Sequence, residues 1–296
     1  MKSIFNRFVV FICKAVALIP FKAIYIISDI LYFILYYVVR YRKRVVVENL
    51  THSFPEKSPE EIKAIMKKFY QHLCDISLET LKYSRMTAQE VDQRLKMSGL
   101  EVYEEYYNQG KSVIMLSMHY NNWEWIGAMQ RFLKIQFSYV YNNMRSNPEF
   151  EDFMLRTRTR FGGTSVAIGH SVRTALSFAK SDTPQGLMLV ADQTAPGNSQ
   201  FWTTFLNQET AFFTGPMKIA AKTNYPVVLL HIRKTSRGHY EFCNYKLVEN
   251  PAEVDPNEIM LAYVRKLEEI IREEPQYWLW SHRRWKHKRP ADIPLV

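Results

Sequence analysis

Cysteine is scarce and scattered in this chain: 296 residues hold three, at Cys13, Cys74 and Cys243, with no CxxC pair and no Cys/His ligand spacing. That excludes a disulfide framework and a structural zinc site, and it fits a reducing compartment. Nor is there an uninterrupted run of the roughly 18 to 20 apolar residues of a plain transmembrane helix. Lys14, Lys22 and Asp29 interrupt the apolar stretch 5–39, and Pro20 breaks any helix passing through it. The stretch is too long for a signal peptide, and no small-residue cleavage site follows it. Internal repeats, low-complexity segments and Gly/Ser linkers that would mark a second domain are also missing.

What is present is apolar and basic. A hydrophobic content of 47% with 14% aromatics supplies a sizeable core and argues against disorder. Thirty-nine Lys+Arg against 29 Asp+Glu give a formal charge of +10. An anionic partner follows: phospholipid, nucleic acid or an acidic carrier protein, among which charge alone does not choose. The apolar residues 23–39 run into Arg40, Arg42, Lys43 and Arg44, an arrangement suited to anionic headgroups. Residues 1–44 are therefore expected to be a membrane-attached segment and 45–296 the functional domain. The competing reading, a buried helix pair, fits poorly with so little polar surface.

Residues 58–83 predict a helix. Ser58 caps it, Pro59 takes its first turn, Glu61 closes a capping box, and Ile62, Ile65, Met66, Phe69, Leu73 and Ile76 form one apolar face. After Gly110, short β-prone runs at 112–118, 136–141, 186–191 and 226–232 alternate with helical patterns at 123–133, 148–160, 171–180 and 214–223. Such alternation predicts an α/β layer with a mostly parallel sheet flanked by helices, whose ligands gather at the carboxyl ends of strands. Residues 239–248 read as an edge strand, and a last helix, 256–274, precedes an aromatic and basic tail.

The sharpest local feature is His119-Tyr120-Asn121-Asn122-Trp123-Glu124, in which a buried strand stops at a histidine and a helix begins. A carboxylate five positions on, in that helix's first turn, is placed to reach one imidazole nitrogen and fix its tautomer, leaving the other free to accept a proton. The spacing alone is unspecific, because His287 and Asp292 repeat it in a Pro-containing tail without a preceding strand. Asp192 follows another strand; its plainer role would be to cap the polar stretch 194–199. Arg156, Arg158 and Arg160 lie on one helical pattern, and Arg160, at the helix end, is expected nearest the cleft, where its planar fork suits phosphate. The tail, with Trp278, Trp280, His282, Arg283, Arg284 and Trp285, has the composition of an interfacial patch, a phosphate site or a nucleic-acid contact.

Taken together these residues resemble the lipid A late acyltransferase family, the lauroyl and myristoyl transferases of lipopolysaccharide assembly, over nearly the whole chain. The signatures are Glu48-Asn49-Leu50 with Ser53-Phe54-Pro55, Met118-His119 through Glu124, Ala191-Asp192-Gln193, and Pro275 through Trp285. The resemblance implies a glycerol-phosphate-acyltransferase-like fold and transfer of a fatty acyl chain from acyl carrier protein to a hydroxyl of a lipid A precursor. It implies no metal or cofactor, and the cytoplasmic face of a bacterial inner membrane rather than nucleic acid as the setting. His119 would be the general base and Glu124 its partner. Arg160, Asp192, His282, Arg283 and Arg284 would contact substrate. Two other functions remain open at this point: a lysophospholipid or glycerol-phosphate acyltransferase, and a non-catalytic, basic, membrane-bound binding protein.

Overall fold

The computed structural model describes residues 2–143 and 147–296. Two helices, α1 (Lys2–Val16) and α2 (Phe21–Phe33), are separated at Pro20, and α2 continues as a π-helix over Ile34–Val39. The combined helix Phe21–Val39 is long and apolar enough to cross a membrane, by length and composition, although Lys22 and Asp29 lie within it. Helix α3 (Lys43–Ser53) leads into α4 (Pro59–Tyr83), where Ser58 and Glu61 form the predicted capping box.

The remaining elements alternate. Helix α5 (Ala88–Arg94), strand β1 (Leu95–Ser98) and helix α6 (Glu101–Asn108) come first. Then come β2 (Val113–Ser117), a 3₁₀ helix (Trp123–Phe132), β3 (Gln136–Tyr141), α7 (Pro148–Thr159), β4 (Thr164–Ala167), α8 (Ser171–Ser177) and β5 (Gln185–Val190). A hairpin of β6 (Trp202–Phe205) and β7 (Gln208–Ala211) precedes α9 (Gly215–Thr223), β8 (Val227–Ser236), β9 (His239–Val248) and α10 (Pro256–Glu273).

Seven strands form one sheet in the order β1-β9-β8-β2-β5-β3-β4, parallel except for the β8–β9 pair. The mostly parallel α/β layer is thus as predicted, with one correction. Strand β9 is not an edge strand, because the short β1 pairs alongside its first half. Its alternation has a different cause: Tyr240 and Phe242 pack into the core, while the intervening Glu241 takes an ion pair from Arg233.

Both sheet faces are covered, which is why β2 is apolar at every position rather than alternating. Ile114 and Leu116 pack with α9 and α10 on one side, and Val113 and Met115 pack with Trp125 and Tyr103 on the other. The strand ends therefore open into the space between two helical layers.

Candidate active site

Strands β2 and β5 are adjacent and parallel, with Val113 opposite Gly186 and Ser117 opposite Val190. Extending that register by two residues sets His119 opposite Asp192. The imidazole Nδ1 lies 2.7 Å from Asp192 Oδ1, and the His119 backbone N–H donates to Oδ2 at 2.9 Å. Trp278 Nε1 donates to the same Oδ2 at 2.8 Å. Burial pushes the Asp192 carboxyl up, but the adjacent His119 ring and these three hydrogen bonds more than offset that, holding it below the usual carboxylate range. An ionised Asp192 fixes Nδ1 as the protonated nitrogen and leaves Nε2 as a base. Among the described residues Nε2 has no hydrogen-bond partner, and His119 lines a cavity.

The loop after His119 is held by two asparagines. Asn121 adopts φ 52°, a left-handed conformation that asparagine tolerates, and donates Nδ2 to the Ile232 carbonyl at 2.7 Å. Asn122 donates to the buried Glu79 at 2.7 Å. The C-terminal segment closes over this loop: the Asn121 N–H donates to the Tyr277 carbonyl at 3.0 Å, and Tyr120 bridges to Trp278.

Among the described residues Glu124 makes no hydrogen bond to His119, the partner that the spacing suggests. Both of its oxygens accept from Arg158, from Nε and Nη2 at 2.7 Å each, in a bidentate pair. The first turn of the 3₁₀ helix carries Glu124 toward α7, whereas the β5 strand end brings Asp192 to His119. Burial raises the Glu124 carboxyl, but the Arg158 charge and hydrogen bonds, with help from His119 and Trp123, hold it below its usual range. The pair depends on Gly127, because a Cβ there would collide with the Arg158 backbone carbonyl. Glycine lets the 3₁₀ helix and α7 approach closely enough to pair these side chains.

Arg158, not Arg160, is the arginine of α7 that faces the cleft. Arg160 turns the other way, donating Nη1 to the carbonyls of Tyr83 and Met86 at 2.6 Å and stacking on Phe161. In the tail, Trp278 and Trp280 are buried and meet edge to face at 4.8 Å, so this segment is core rather than an interfacial patch. Arg284 is also buried, with Nη2 on the Ala211 carbonyl at 2.6 Å and its guanidinium over Phe212, so it points into the packing. His282 lies beside the site with Nε2 accepting the Thr194 N–H at 3.1 Å. Burial and the nearby His119 lower its pKa to about 4. The Arg283 side chain is exposed, and its backbone carbonyl accepts from Thr194.

Two cavities meet at Trp123, Glu124 and Arg158. One, of about 510 Å³, contains His119 and runs past Ile126, Tyr139, Met188 and Ile219 between the strand ends and α9. The other, of about 660 Å³, is bounded by Leu31 and Leu35 of the apolar helix, Arg42, Leu73 of α4 and His282. Among the described residues no group of three or more His, Cys, Asp or Glu is arranged to hold a metal ion. Neither the Trp278 hydrogen bond to Asp192 nor the pairing of Arg158 with Glu124 is legible in the sequence. Only the pairing of β2 with β5, and the close helix approach at Gly127, would have revealed either.

Residues 2–287 match the family model for bacterial lipid A biosynthesis acyltransferase. Among curated proteins, the chain is 22% identical over 255 residues to the lipid A biosynthesis myristoyltransferase of Escherichia coli (strain K12), covering 85% of this chain and 77% of that one. It matches the lipid A biosynthesis acyltransferase 1 of Shigella flexneri to the same extent, 22% identity with 85% and 77% coverage.

Proposed function

This chain belongs to the bacterial lipid A biosynthesis acyltransferase family, which makes it an acyltransferase of lipid A biosynthesis, and from that premise we propose the donor, the site and the setting. The donor is an acyl carrier protein thioester, the acceptor is a hydroxyl of the lipid A precursor, and the enzyme works at the cytoplasmic face of a bacterial inner membrane. His119 is the general base. The observation that carries this reading is the 2.7 Å contact between His119 Nδ1 and the buried Asp192, which supports a basic Nε2 facing the apolar walls of the 510 Å³ cavity.

In this scheme the acceptor hydroxyl attacks the thioester carbonyl as His119 Nε2 takes its proton. The tetrahedral intermediate collapses, and the imidazolium returns the proton to the departing thiolate. Asp192 stays ionised and stabilises the imidazolium, a positioning role for which the sequence alone suggests Glu124. Glu124 instead holds Arg158 by two parallel hydrogen bonds. Nη1 of Arg158 has no hydrogen-bond partner among the described residues and sits where the two cavities join. It is the cation best placed to meet the phosphate of an anionic lipid. The 510 Å³ cavity falls within the size range of ligand pockets, roughly 300–1,000 Å³, and its apolar walls suit an acyl chain.

The test is an acyl-transfer assay with purified full-length protein, acyl carrier protein thioester and lipid A precursor. His119→Ala and Asp192→Asn are expected to lower turnover about 100-fold or more with folding retained. Transfer to lysophospholipid alone would overturn the acceptor, and normal turnover in His119→Ala would overturn the base.

A further inference from the structure

Helix α2 lies side-on along α4 for nearly its whole length. Lys82 of α4 donates to the Ala17 carbonyl at 3.1 Å, Tyr25 donates to Glu79 at 3.0 Å, and Ser28 donates to Asp75 at 2.7 Å. Tyr36 then meets Tyr70 edge-on at 5.4 Å. As the numbers rise along α2 they fall along α4, so the two helices run antiparallel. The contacts fall on one stripe, in which Ile24 and Ser28 are fully buried. Midway along it, Arg237 from the turn between β8 and β9 joins the two helices, with Nη2 2.6 Å from both Asp29 of α2 and Asp75 of α4.

The opposite stripe of α2 is apolar and open. Ile26, Ile30, Phe33 and Val38 are each between 56% and 66% exposed. Helix α1 extends this surface with Phe8 and Phe11, which are similarly exposed, and is itself held to α7 by Asn6 on Glu149 at 2.9 Å and by Cys13 against Phe153 and Met154. Basic residues border it, with Lys14 and Lys22 exposed at one end and Arg40 and Arg44 at the other.

A helix spanning a bilayer from Phe21 to Val39 would carry Asp29 close to the midplane. Because Asp29 is clamped to Arg237, which also holds Asp75, it would take the β8–β9 turn and the polar side of α4 with it. Ionised side chains and an open turn are poorly tolerated there. We propose that α1 and α2 together form an in-plane face that binds one leaflet of an anionic phospholipid bilayer without crossing it. The exposed stripe is the buried half of that contact and the flanking lysines and arginines meet the headgroups. Since Leu31 and Leu35 on the flank of α2 also bound the 660 Å³ cavity that ends at Glu124 and Arg158, an acylated lipid reaches the site sideways from the leaflet.

This rests on the membrane setting proposed above, and the experiment separates the two. Lys22→Cys and Arg44→Cys are made singly in the full chain, expressed in bacterial cells and probed with a membrane-impermeant maleimide. The three native cysteines are buried and provide the unlabelled control. In-plane binding predicts that both positions label in inverted inner-membrane vesicles and neither labels in intact spheroplasts. Labelling of Lys22→Cys from the spheroplast side would overturn the in-plane face while leaving membrane attachment intact. Absence of the protein from the membrane fraction would overturn attachment itself. As a second measurement, Ile30→Glu with Phe33→Glu should weaken binding of the purified chain to phosphatidylglycerol vesicles about tenfold or more. Activity on detergent-dispersed acceptor should be unchanged. Undiminished vesicle binding, or a self-associated chain that buries this face and ignores vesicles, would overturn the proposal.

Discussion

Trp278 donates its indole N–H to Oδ2 of Asp192, on the carboxylate whose other oxygen holds His119. A residue from the last fifteenth of the chain thus joins His119 in holding ionised a carboxylate at the end of a central strand. Trp278→Phe keeps most of the ring packing and removes the donor. Asp192 then loses one of the contacts that depress its pKa, so its folded value rises toward the ordinary carboxylate range. A depressed carboxylate stabilises the fold above the unfolded pKa, near 4, and that contribution is lost as pH falls through the folded value. The variant is therefore expected to be about 1–2 kcal/mol less stable at pH 7. The gap to wild type should narrow on acidification below about pH 4, and urea unfolding at pH 7 and pH 3 measures it. A gap that stays constant would assign the loss to packing.

Glu124 and Arg158 form one unit, and their variants should behave as one. Glu124→Gln leaves the guanidinium without its fork partner, and Arg158→Met leaves a mostly buried carboxylate without its cation. Each single change is expected to cut kcat/KM strongly. The double variant should be little worse than either, with a coupling of at least about 1 kcal/mol. Additive losses in that cycle would mean that the two side chains act separately.

Gly127 tests the same pair through the backbone. Gly127→Ala places a Cβ against the Arg158 carbonyl, so the 3₁₀ helix and α7 must separate. The expected cost is about 1–3 kcal/mol in stability, with a loss of activity larger than that of an exposed Gly→Ala change such as at Gly169, where a Cβ meets nothing. Equal activities of the two variants would show that the pair tolerates the displacement.

The chain announced its alternating strands and helices because β2, β3, β5 and β8 are apolar, β-prone runs bounded by turn residues, and the capping box at Ser58 was readable letter by letter. Strand order was not readable. His119 and Asp192 each stand two residues past a strand end, but only the pairing of β2 with β5 makes those positions neighbours. Without it, Glu124 is the nearest following carboxylate in sequence and the natural partner to expect for His119. The burial of the tail tryptophans is hidden for a related reason. Tryptophans among arginines have an interfacial composition, and burial of Trp278 and Trp280 under the sheet is a tertiary fact. The hairpin at Trp202–Ala211 is not legible because its strands, Trp-Thr-Thr-Phe and Gln-Glu-Thr-Ala, are four residues each and carry no period-2 alternation.

His231 gives the fold a second pH dependence. It sits on β8 against Tyr120, and burial, followed by the charges of Lys266 and Arg233, lowers its pKa to about 4. A histidine buried in its neutral form stabilises the fold above its unfolded pKa, near 6.5, and that contribution is lost as pH falls from there toward the folded value. Stability should therefore decline between about pH 6.5 and 4. His231→Phe should remove on the order of 2 kcal/mol of that decline. Thermal or urea unfolding across this window reads it, and an unchanged slope in the variant would remove His231 as its source.

Asn49 shows why the first and last signatures of the chain belong together. Its Nδ2 donates to the carbonyls of Trp280 at 2.9 Å and His282 at 3.0 Å, and Phe54 packs edge-on against the Trp280 ring at 5.8 Å. Asn49→Ala strips one donor from two backbone carbonyls in a largely buried segment, a loss of about 1–3 kcal/mol. The segment it loosens carries Trp278 to Asp192, so turnover should fall although Asn49 itself lies outside both cavities. Asn49→Asp keeps the shape but presents only acceptors to those carbonyls, so it should be at least as damaging as alanine. Protease cleavage within the tail should increase in step with the loss of turnover in both variants. Loss of turnover with an unaltered cleavage pattern would separate Asn49 from the tail and leave the route through Trp278 without support.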